Sequence, residues 1–128
     1  MMLRSICVAA AVVTTSSHAR AVETIPINFI GEWCYLSQED KTTLYTLPSW
    51  TEDGHCTKIL SIEQYGFYGE GRHCELVNMR LARDTAPSGT AYIAMVTARC
   101  QADGPVTAGK LQSFEFNRYK GNLSVTTK

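Results

Sequence analysis

Hydrophobic and polar residues alternate along most of this chain, in short runs cut by Gly, Pro, Asn and Asp. That spacing belongs to strands rather than helices. Six runs stand out, at residues 27–36, 56–64, 67–82, 90–100, 110–119 and 122–127. Between the first two lies a long polar connection, residues 37–54, which carries Pro48, Trp50 and Asp53-Gly54. A helical turn is expected near its start, at Ser37-Gln38-Glu39-Asp40. Connections of this length in a compact domain commonly carry function. Lys120-Gly121 is tight enough to make the last two runs a hairpin, and Asp103-Gly104-Pro105 breaks the chain before the fifth. The pattern predicts an all-β, antiparallel, meander-like domain of about six strands, either a small β-sandwich or an incomplete β-barrel.

One hairpin can be placed in register from its side chains. Folding residues 67–82 onto 90–100 about Pro87 sets Cys74 across from Cys100 and Glu75 across from Arg99. The same alignment sets Val77 across from Thr97, Met79 from Met95 and Leu81 from Ile93. Opposite charges and apolar pairs facing one another are what cross-strand pairing rewards, and a slip of one residue would undo the match.

Ahead of these runs, residues 1–21 read as an export signal. Arg4 supplies the positive start, residues 6–13 the short apolar stretch, and Ala19-Arg20-Ala21 the small-residue cleavage site. The apolar stretch falls far short of the roughly 20 residues that span a bilayer. Removing 21 of the 128 residues leaves a single domain over 22–128, and with Arg4 and Arg20 gone ten basic residues face twelve acidic ones, a net charge of −2. No run of Lys or Arg remains to meet nucleic acid, and no second apolar span to cross a membrane. A secreted or periplasmic location follows as an expectation.

Export changes the meaning of the cysteines. Cys7 leaves with the signal, and Cys34, Cys56, Cys74 and Cys100 remain, an even number in an oxidising space. The hairpin register favours Cys74–Cys100, with Cys34–Cys56 clasping the long connection. The rival is Cys56–Cys74 with Cys34–Cys100, because a turn at Tyr65-Gly66 also places Cys56 opposite Cys74. The dipeptides His55-Cys56 and His73-Cys74 lack the short chelating spacing of zinc sites, and neighbours on a strand point to opposite faces. No metal or cofactor is expected. Catalysis is also not expected: neither a Gly-x-Ser-x-Gly elbow nor a His-Glu-x-x-His run is present, and Glu70 and Glu75 read as solvated acids.

Two short segments carry resemblances. Gly31-Glu32-Trp33 at the start of the first strand resembles the Gly-x-Trp opening of lipocalins and other calycins, and of small bacterial protease-inhibitor barrels. That resemblance implies that Trp33 packs across the closed end of a barrel, which in calycins holds a small apolar ligand. Ser88-Gly89-Thr90-Ala91-Tyr92 resembles the Ser-Gly-x-x-Tyr motif of periplasmic inhibitors of c-type lysozyme. There the serine-bearing loop enters the enzyme's cleft, which makes Ser88 and Tyr92 contact candidates. Trp50, alone in a polar connection, is a third. The expected function is therefore binding without catalysis: a protein-binding module, with a hydrolase as partner, or alternatively a calycin-like carrier of a small apolar ligand.

Overall fold

A computed structural model describes residues 23–82, 91–102 and 109–128. The expected export signal, the turn around Pro87 with Ser88, and the Asp103-Gly104-Pro105 break lie outside the described residues. Within them the chain is all-β and antiparallel, with eight strands: β1 (Gly31–Glu39), β2 (Thr42–Thr46), β3 (Ile59–Glu63), β4 (Gly66–Gly69), β5 (Arg72–Ala82), β6 (Ala91–Ala102), β7 (Lys110–Tyr119) and β8 (Asn122–Thr127). They close into a barrel in the order β1-β2-β8-β7-β6-β5-β4-β3, with β3 paired back onto β1. Consecutive strands are neighbours except β2 and β3, whose connection passes over β1.

Eight strands replace the expected six, and the closed barrel replaces the sandwich or incomplete barrel, because two turns were hidden in polar sequence. Ser37 to Glu39 continue β1 instead of forming a helical turn, and the chain reverses at Asp40-Lys41, with Glu39 opposite Thr42 and Asp40 at φ 53°. The run 67–82 is divided by Glu70 and Gly71, both at positive φ (52° and 75°), the requirement of a type I′ hairpin turn. That second turn also decides the disulfides. It carries Cys74 off β4 and onto β5, opposite Cys100, so the bridges are Cys74–Cys100 and Cys34–Cys56, and the rival pairing is excluded.

The expected register of β5 and β6 holds from Cys74/Cys100 through Glu75/Arg99 to Leu76/Ala98 and then shifts. Val77 forms a bulge, after which Met79 faces Val96 and Leu81 faces Ala94, not Met95 and Ile93; Val77 no longer faces Thr97. The extra residue has a packing consequence. With strict alternation Asn78 would follow Leu76 into the interior; the bulge leaves Asn78 exposed and turns Met79 against the core.

Inside, alternate residues of each strand meet: Leu60 and Ile62, Phe114 and Phe116, Leu123 and Val125, and the small series Ala94, Val96, Ala98 on β6. Ala94 lies directly opposite Phe116, so a small side chain on one strand makes room for a ring on the next. Phe67 meets Phe114 and Phe116 edge-on at 5.2 Å each, and Phe29 enters from a 3₁₀ turn ahead of β1 to meet Phe116 at 5.9 Å. Eight strands enclose a space that side chains can fill, and here they fill most of it.

Candidate functional sites at the two ends of the barrel

The barrel has a plugged end and an open end, and the strand directions assign residues to each. At the plugged end, Trp33 is 1% exposed. Its indole N–H donates to the Phe29 carbonyl at 2.9 Å. Arg118 on β7 lies over the indole with its guanidinium 5.1 Å from the ring, donates to the Asn28 carbonyl, and donates through Nε to the Lys120 carbonyl at 2.8 Å. One guanidinium thus covers the plug and ties the entering segment to the β7–β8 turn. The plug expected of Trp33 is present, and Arg118 is its unforeseen lid.

Trp50 sits beside this lid. After β2 the chain stays close to the β7–β8 turn: Leu47 N–H donates to the Gly121 carbonyl at 3.0 Å and the Thr46 hydroxyl donates to it at 3.2 Å. A short 3₁₀ turn, Pro48–Trp50, then lays the indole flat on Gly121, where a Cβ would fall 2.5–2.8 Å from three ring atoms. Glycine is required here by the approach of the ring. Trp50 nevertheless remains 57% exposed. Ile27, Ile30, Tyr65 and Tyr119 are exposed at the same end. Trp33 and Cys34 explain how the connection is held: neighbours on a strand point to opposite faces, so Trp33 fills the barrel while Cys34 reaches outward to Cys56 in the segment crossing β1.

The other site candidates divide. Tyr92, at the start of β6 and opposite Arg118, is half-buried and packs against the core. Ser88 lies outside the described residues, but Ala82 and Ala91, which flank residues 83–90, are at this same end, since Ala91 pairs with Tyr119. Trp50 and Tyr92 are therefore brought to one end of the barrel. Cys56 and Cys74 are both held in disulfides, and His55, in the connection before β3, and His73, on β5, are both exposed, with His73 edge-on to Tyr68 at 5.9 Å. Glu70 and Glu75 are both exposed. Among the described residues, no group of three or more His, Cys, Asp and Glu side chains is placed to hold a metal.

No protein-family model, no curated protein and no solved structure matches this chain.

The open end holds a cavity of about 250 Å³. Its floor is apolar, from Leu60, Phe67 and Val125, and its rim is polar, with Gln38, Thr43 and Arg72 among its members. Tyr45 stands between the two. Burial, reinforced by the nearby Glu70 carboxylate, pushes its hydroxyl up to about 12. An unfolded tyrosine loses its proton near pH 10, so between about pH 10 and 12 deprotonation favours the unfolded chain. Tyr45 contributes its full share of stability below that window and loses it as pH rises through it. Wild type is expected to lose about 1–2 kcal/mol more than Tyr45→Phe between those limits, since solvent reaching the cavity screens part of the shift. Urea unfolding across the alkaline range checks this, and parallel curves for the two proteins would refute it.

Proposed function

We propose that this chain is an exported, non-catalytic binding protein that docks a protein partner on the plugged end of its barrel, with Trp50 as the anchor. The observation that carries the proposal is the seating of Trp50 on Gly121. The indole is fixed on one face and open to solvent on the other, so little side-chain freedom is lost when a partner covers it. Tryptophan held in this way is the residue type that most often dominates a binding interface. The exposed Ile27, Ile30, Tyr65 and Tyr119 supply apolar and aromatic area around it. Two disulfides agree with an oxidising compartment, and among the described residues no helix is long and apolar enough to cross a membrane. The class of partner comes from the Ser88 to Tyr92 resemblance and is a hydrolase, with lysozymes first.

Inhibition of a panel of lysozymes and proteases by the purified protein tests this reading. Trp50→Ala is expected to weaken the complex about 30-fold or more, the signature of a hot spot. Gly121→Ala should do nearly as well by displacing the ring, and should move Trp50 emission to the red while buried Trp33 stays unchanged. A protein that inhibits none of the panel and captures no envelope partner refutes the proposal, as does a Trp50→Ala variant that binds like wild type. The carrier alternative is narrowed by the packing: Phe29, Trp33, Phe67, Phe114 and Phe116 occupy much of the interior, so a calycin-like ligand would sit toward the open end.

A further inference from the structure

The geometry points to the open end as a second, independent site, one that binds a small organic acid through Arg72. The cavity there has the volume of about eight water molecules, room for a compact ligand of similar atom count. Its floor of Leu60, Phe67 and Val125 suits an apolar or aromatic body. The polar groups sit at the rim, so a ligand must carry its polar head at one end.

Arg72 sets the sign of that head. It is half-buried at the start of β5, with its guanidinium 5.6 Å from the centre of the Phe114 ring, so its head leans toward the barrel interior while staying partly exposed. One N–H donates to Gln112 Oε1 at 3.3 Å, which leaves most of its five donors for another partner. Among the described residues Arg72 makes no ion pair, and the side-chain ion pair that does form joins Lys128 to Glu115 at 3.4 Å. Asp40, Lys41 and Glu70 also line the mouth on exposed turns: Lys41 offsets one of the two carboxylates, and Glu70 is the one felt at Tyr45. Of these charges the guanidinium is the half-buried one, and among the described residues it is not ion-paired. Its planar fork matches a carboxylate.

Benzoate is the probe, with benzyl alcohol, benzylamine and inorganic phosphate as controls, read by amide shifts in two-dimensional NMR of the isotope-labelled protein. Benzoate is expected to shift Thr43, Tyr45 and Phe67 saturably at concentrations up to about 10 mM, more tightly than any control. Arg72→Gln should weaken it at least tenfold, and Arg72→Lys by less, since the charge stays and the fork is lost. Trp50→Ala should bind benzoate like wild type, which separates this site from the partner face. Absence of saturable shifts, equal binding of benzylamine or benzyl alcohol, competition by phosphate at equal concentration, or a folded Arg72→Gln variant that retains wild-type affinity would each overturn the assignment.

Discussion

Trp33→Ala is expected to destabilise the protein by about 3–5 kcal/mol, a large part of the total stability of a domain this size. The residue is 1% exposed and closes the end of the barrel, so truncation opens a cavity that the surrounding strands cannot collapse into without breaking ladder hydrogen bonds. It also strands two groups. The buried Phe29 carbonyl loses its donor, and Arg118 loses the ring it covers. Trp33→Phe should cost less, because it keeps an aromatic plug and gives up the indole N–H with part of the volume. A double-mutant cycle with Arg118→Met isolates the contact between the guanidinium and the indole, expected at roughly 0.5–2 kcal/mol. Urea unfolding followed by far-UV circular dichroism measures all five proteins, wild type and the double variant included. A loss below about 1.5 kcal/mol for Trp33→Ala would mean that Phe29 and Arg118 hold the end closed without it.

Much of this core was legible in the alternation of the chain, and the places where it was not share a physical cause. Strands whose inward residues are apolar and whose turns carry glycine or proline read clearly: the runs 90–100, 110–119 and 122–127 match β6, β7 and β8 to within a residue or two, and Lys120-Gly121 joins the last two as a hairpin. β2 was not. Thr42-Thr43-Leu44-Tyr45-Thr46 is rich in β-branched and aromatic residues, and that was the available signal. It was masked by the polar neighbours of the Asp40-Lys41 turn, which contains no glycine. The turn at Glu70-Gly71 offers a glycine on each side of a glutamate, yet the strand pattern continues through it, so alternation alone predicts one long strand. The bulge at Val77 had no local signature, because it serves to keep Asn78 out of a core that exists only once the barrel has closed. The sites were less legible than the fold for the same reason. Trp50 stood out as a lone aromatic, but Gly121 beneath it is 71 positions away, and Arg118 and Arg72 gain their roles from rings on other strands.

The two disulfides should prove equal in what they contribute to stability and unequal in what they contribute to binding. They close loops of similar length, with sequence separations of 22 and 26 that neither overlap nor nest. In the chain-entropy model each is then worth about 3.5 kcal/mol, and removing both approaches the entire stability of a small domain. Cys34→Ala/Cys56→Ala and Cys74→Ala/Cys100→Ala are each expected to lower stability by roughly 2–4 kcal/mol, and the quadruple variant to be unfolded at 37 °C. Their structural consequences differ. Cys74 and Cys100 are already opposite each other in a long ladder between β5 and β6, so the barrel there keeps its register without the bridge. Cys34–Cys56 instead anchors the one connection that is not a hairpin, the segment over β1 that carries Trp50. Without that bridge the segment is held at its β2 end by the Gly121 carbonyl and the Trp50 ring seated on Gly121, and at its β3 end by the Tyr35 N–H donating to the Lys58 carbonyl at 3.0 Å. Hydrogen exchange should therefore accelerate across residues 47–58 in the Cys34/Cys56 variant and stay near wild type there in the Cys74/Cys100 variant. Partner binding should fall in the first and persist in the second at temperatures where both are folded. Equal exchange in the two variants would show that the seat on Gly121 suffices to hold Trp50, and would move the clasp from the binding face to general stability.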